Sequence, residues 1–157
     1  MQHDAYLFAH MTNDDYGRLY YSAQGVEGTY TDQGVVGRIP SDLFFYDFDT
    51  GMEMTAGDLA GFNVGASFYG GAYYYIPNGT DDVNLVTLNA DGMVLSDVAV
   101  LNDFTGDAGK VYRFGDIAIS ADGILYASTN GTQGSSGEFF TIDLGTGEYT
   151  MICDDTL

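Results

Sequence analysis

A chain of 157 residues is long enough for one domain with a real core and too short for two ordinary ones. Tyr (13), Phe (10) and Gly (22) are abundant while Pro is rare (2) and Trp absent, a composition of strands and glycine-rich turns rather than of helices. Four basic residues (Arg18, Arg38, Lys110, Arg113) face 23 acidic ones, and the net charge of −19 excludes electrostatic docking onto nucleic acid or an anionic membrane surface.

That charge suits divalent cations, basic partners, or plain solubility in a salty or extracellular setting, and an extracellular or surface location is expected. Cys153 is the single cysteine, so an intrachain disulfide is ruled out and the redox compartment stays open. The start MQHDAYLFAH has neither a basic region nor a long apolar one, so no signal peptide is expected within it. No apolar run approaches the length that spans a bilayer as a helix.

In chain order, alternation and turn residues predict strands over residues 6–13, 18–23, 42–48 and 52–56, with a long excursion, AQGVEGTYTDQGVVGRIPS, between the second and third. Four more follow over 64–68, 72–76, 84–89 and 93–101, broken by IPNGTDD and NADG. A last set runs over 117–120, 124–129, 138–144 and 148–153, broken by ADG, NGTQGSSG and GTG.

The three sets are copies of one unit. Gly17 in DYGRLYYS, Gly70 in FYGGAYYY and Gly123 in ADGILYAS recur at an interval of 53 residues. At that interval Leu19, Ala72 and Leu125 correspond, as do Tyr20, Tyr73 and Tyr126. A second block, YDFDTG in the first unit, returns as VTLNADG and IDLGTG. The chain therefore divides into repeats over 5–57, 58–110 and 111–157, forming a single all-β module over 1–157.

Four-stranded antiparallel units of this length are the pattern of propeller blades. Through GDIAISADGILYAST followed by FFTIDLGTGEYT, the chain resembles a β-propeller repeat protein. The WD-type Trp-Asp pair is absent, and the middle unit has lost the Asp-Gly turn that the third unit carries as Asp122-Gly123. The resemblance implies architecture only, because propellers host enzymes, lectins and scaffolds alike.

Closed propellers typically have four or more blades, and three would leave sheet faces uncovered. The expectation is completion by a homo-oligomer or by further blades of a longer chain. A β-sandwich or barrel is the alternative fold.

Three groups of residues are candidate sites. His10, Asn63 and Asp116 share one repeat position before the innermost strands and would form a polar ring near the axis, or else satisfy local backbone as such residues do at turns. Tyr30 and Arg38 lie on the excursion, a candidate recognition loop. Asp47, Asp49, Asp81 and Asp82 sit in oxygen-rich turns that would suit a Ca²⁺ ion, although none completes an EF-hand pattern.

No nucleophile elbow, zinc-protease, Walker or paired-cysteine motif is present. The expected function is a non-catalytic binding or structural module recognising a glycan or a partner protein. The alternatives are a self-assembling subunit of a surface layer, fibre or virion, and the remnant of a propeller-type glycoside hydrolase. The opening YLFAHMTNDDYGRLYYSAQG is similar to the first blade of some such hydrolases, without their following DG-x-W.

Overall fold

A computed structural model describes residues 7–24, 29–31, 34–36, 41–61, 63–77, 83–101, 114–129, 138–146 and 148–154. They form fourteen strands and no helix. In the first blade β1 (Leu7–Asn13), β2 (Arg18–Gln24), β5 (Ser41–Asp47) and β6 (Met52–Leu59) lie side by side in the order β1-β2-β5-β6. The excursion between β2 and β5 contains a small hairpin of β3 (Thr29–Thr31) and β4 (Gly34–Val36).

The second blade is a meander of β7 (Asn63–Tyr69), β8 (Ala72–Pro77), β9 (Val83–Leu88) and β10 (Val94–Leu101). The third repeats it with β11 (Phe114–Ile119), β12 (Ile124–Thr129), β13 (Glu138–Asp143) and β14 (Tyr149–Asp154). All pairings within the blades are antiparallel. The protein is thus all-β, with three four-stranded sheets of propeller type.

The blades stack through their faces, so two cores form. Tyr20, Leu43 and Phe45 of the first blade meet Tyr73, Tyr75 and Val86 of the second, all of them at most 1% exposed. On the other side of the second blade, Ile76 and Val83 meet Leu125, Phe140 and Ile142 of the third. A strand sends alternate residues to opposite faces, and the run Tyr73-Tyr74-Tyr75-Ile76 shows why an unbroken apolar strand is needed here: both faces of this sheet are covered. Burying a side chain of this size contributes roughly 1.5–3 kcal/mol.

The innermost strands β1, β7 and β11 lie next to one another. They are joined by hydroxyls: the Phe68 amide donates to Thr12 Oγ1 at 3.1 Å, and the Ile119 amide to Ser67 Oγ at 2.9 Å. Each innermost strand also carries a β-bulge, between Ala9 and Met11, Asn63 and Ala66, and Phe114 and Asp116.

One difference from the sequence register has a clear cause. The hairpin of the second blade closes through two residues, since Tyr69 pairs with Ala72, whereas Asn13 pairs with Leu19 and Ile119 with Leu125 around longer turns. Shortening the turn shifts the middle copy on its sheet, and in a strand a one-residue shift reverses the face. Tyr73 consequently faces back to the first blade, as Leu125 faces back to the second, and Tyr74 takes the forward place of Tyr20. The aligned trio Tyr20, Tyr73 and Tyr126 is not one structural position.

Candidate functional site

The same displacement affects the expected polar ring. Asp116 is the third residue of β11, His10 falls at the bulge of β1, and Asn63 begins β7. Counted from the paired residues Met11, Ala66 and Ile117, the middle counterpart of His10 and Asp116 is Gly65. Gly65 is needed there for close approach, because a Cβ on it would stand 2.9 Å from the Asp116 Cα. The exposed Asp116 accepts its neighbour's amide, Ile117 N to Oδ1, at 2.8 Å.

Two of the aspartate turns are closed by their own side chains. Asp47 Oδ1 accepts the amides of Asp49 and Thr50 at 2.8 and 3.1 Å, and Asp143 Oδ1 accepts those of Gly145 and Thr146 at 2.8 and 3.0 Å. The repeated D-x-x-T-G block is therefore an aspartate-capped hairpin turn. Among the described residues no group of three or more His, Cys, Asp or Glu side chains could hold a metal ion. Asp81, Asp82 and Arg38 lie outside the described residues, and Tyr30 is in β3.

A site that the sequence reading passed over lies at the turn end between the first and second blades. The β1–β2 turn, Asn13-Asp14-Asp15-Tyr16-Gly17, faces the β9–β10 turn, Asn89-Ala90-Asp91-Gly92, across a cleft of about 280 Å³. Asp14, Tyr16, Arg18, Phe68, Leu88 and Ala90 are among its walls.

Asp14 builds one wall. Its Oδ1 accepts the amides of Tyr16 at 2.9 Å and Arg18 at 2.8 Å, which folds the turn and buries the carboxylate. A buried carboxylate needs a counter-charge, and Arg18 Nη1 stands 3.7 Å from Oδ2. Arg18 Nη2 also donates to the Ala90 carbonyl at 2.7 Å, tying the two blades together. Its guanidinium lies 5.5 Å from the Phe45 ring centre and 5.9 Å from that of Tyr16, both within cation–π range.

Beneath it, burial pushes the Tyr20 phenol above its usual range, partly offset by the Arg18 guanidinium, which favours the phenolate by hydrogen bonding. Tyr16 itself is 74% exposed at the rim. The arrangement offers an aromatic face, a fixed cation and backbone carbonyls around an open hollow. One of only four basic residues, placed at a hairpin beside two aspartates, was the available signal in NDDYGR.

A second polar cluster joins the same two blades further along. Asp97 accepts from Tyr75 Oη at 2.6 Å, Asn84 Nδ2 at 2.7 Å and the Ala60 amide at 2.7 Å. Burial first, and then the adjacent Asp97 carboxylate, hold the Tyr75 phenol far above its usual range. This cluster is packed and satisfied, the character of a structural clasp.

No protein-family model matches the chain, and no curated protein matches it. Solved structures share its fold. A gluconolactonase from Xanthomonas campestris is similar with a TM-score of 0.61 and 12% identity, over 93% of this chain and 46% of that one. The calcium-binding protein regucalcin from Agrobacterium tumefaciens follows at 0.56 and 12%, over 86% and 41%. PorZ, a surface component of the type-IX secretion system of Porphyromonas gingivalis, is similar at 0.51 and 12%, over 91% and 19%. Fold and similarity together define a propeller-type chain. It spans less than half the length of each of these structures.

Proposed function

We propose that this chain is a non-catalytic recognition module of the propeller type that binds a neutral glycan in the cleft between its first two blades. The observation that carries the reading is Tyr16, 74% exposed at the mouth of the cleft and held there by the Asp14-capped turn. A sugar stacks its apolar face on such a ring, and its hydroxyls pair with carbonyls and charged groups beside it. A net charge of −19 disfavours anionic glycans.

Isothermal titration with neutral oligosaccharides tests the reading. Binding is expected, and Tyr16→Ala is expected to weaken it by roughly tenfold or more while leaving the thermal midpoint unchanged, since losing one stacked ring removes about 1–2 kcal/mol. Absence of binding, or equal binding by Y16A, would refute it.

A second reading, Ca²⁺ binding, is favoured by the similarity to calcium-binding regucalcin and by the 23 acidic residues. Titration of the chain with CaCl₂ tests it: a saturable heat supports it and a flat titration rejects it.

A further inference from the structure

Each blade has a forward face, toward the next blade, and a backward face, toward the one before. Sheet register identifies the equivalent places. On the forward side, Leu43 pairs with Ser22 and Phe139 with Ser128, and Val83 holds the same place in the second blade, against Ile76. Leu43 and Val83 are both 0% exposed, covered by the blade that follows, whereas Phe139 is 37% exposed. It stacks on Tyr126, the counterpart of buried Tyr20, with ring centres 6.1 Å apart.

The backward side shows the mirror situation. Met11, Ala66 and Ile117 pair with Tyr21, Tyr75 and Ala127 and so occupy one place. Ala66 and Ile117 are 9% and 4% exposed, and Met11 is 65% exposed. Beside Met11 the partly exposed Phe44 stacks on Tyr21, with ring centres 5.8 Å apart, Tyr21 itself being 8% exposed, and Tyr46 is half-buried on the same blade. Both ends of the stack therefore carry the residues that the molecule buries at its own two internal joints.

From this we infer that a second copy of the chain covers these faces, the third blade of each copy packing forward onto the first blade of the other. Two such joints related by a twofold axis close a ring of six blades. The forward-on-backward contact is the one already made twice inside the chain, which sets its geometry. The size also fits: one copy covers 46% and 41% of the two gluconolactonase- and regucalcin-type chains, so two copies amount to nearly one such chain. Closure removes the exposed sheet faces that a lone stack would leave as sites of uncontrolled association. With −19 on each copy the joints form against repulsion, so salt strengthens the pairing.

Light scattering on the purified chain tests the inference. A mass of twice 16.9 kDa is expected, with a dimer dissociation constant that falls as NaCl is raised. Met11→Lys and Phe139→Lys each place a charge in a joint and are expected to weaken the dimer by roughly tenfold or more, with circular dichroism showing the sheets intact. Mixing the two variants leaves one joint of the mixed ring unaltered, so the mixture should dimerise more tightly than either variant alone. A wild-type monomer, as when further blades of a longer chain are the natural cover, overturns the inference. So do open polymers, or a dimer that only one of the two variants disrupts, since that contact would join like face to like face.

Discussion

The Tyr20 hydroxyl of the first blade sits against Gly92 of the second, 3.4 Å from its carbonyl oxygen and 2.6 Å from where a Cβ on that glycine would stand. Gly92 has φ of 85°, a left-handed conformation that side chains tolerate poorly. The glycine of NADG thus serves two ends: it closes the β9–β10 turn and leaves room for the neighbouring blade's tyrosine. Gly92→Ala should destabilise the chain by about 2–4 kcal/mol, strain and overpacking acting together. Urea denaturation of G92A checks this. A second change, Tyr20→Phe, should recover part of the loss by removing the colliding oxygen.

Asp97 is the centre of the other clasp. Asp97→Ala removes the acceptor of Tyr75, Asn84 and the Ala60 amide at once. A part-buried network left half satisfied costs more than one ordinary hydrogen bond, and about 1–3 kcal/mol is expected in the same denaturation experiment. The Asp97→Asn variant should lose nearly as much, because its amide nitrogen presents a donor to donors.

Alkaline stability follows from the raised phenols. Tyr75 is protonated more firmly in the folded chain than in the unfolded one, by burial and then by Asp97. The stability this confers is complete below the unfolded tyrosine value of about 10 and is lost as pH climbs above it. Thermal midpoints should therefore drop steeply above pH 10. Tyr75→Phe should flatten that drop while lowering stability at neutral pH.

The open end of the β5–β6 hairpin carries a like-charged pair. Asp42 lies directly across from Asp58, and its carboxyl is raised by burial first and then by the hydrogen bond and charge of Asp58. A carboxylate whose folded value is raised is penalised when ionised, so stability is lost as pH rises through the carboxylate range and is fully diminished at neutral pH. Asp42→Asn should raise the thermal midpoint at pH 7, corresponding to a gain on the order of 0.5 kcal/mol for removing opposed like charges. The advantage should vanish as pH falls below the carboxylate range.

Much of this architecture was legible because turns repeat with their physical cause attached. Asp47 and Asp143 cap their hairpins in the same way, so YDFDTG and IDLGTG look alike. The strand pairs around Gly17 and Gly123 keep one register, and the spacing located them correctly. The second blade hid its register because Gly70-Gly71 shortens one turn, and a face reversal leaves no mark on a run of three tyrosines that is apolar on both sides.

The cleft was hidden for another reason. Its walls come from turns 72 residues apart, as Arg18 and Ala90 show, and only blade-on-blade packing brings them together. Exposure was equally invisible: Tyr16 and Tyr20 are four residues apart, yet one is 74% and the other 0% exposed.

The recognition reading rests on where a ligand lands. The most direct measurement is an amide NMR titration of the 157-residue chain with the neutral oligosaccharide that binds best. Shifts are expected to concentrate at Asp14, Tyr16, Arg18, Ala90 and Gly92, on both turns of the cleft and little beyond them. Saturable shifts confined to other strands or to the β3–β4 hairpin, with those five amides unmoved, would contradict it.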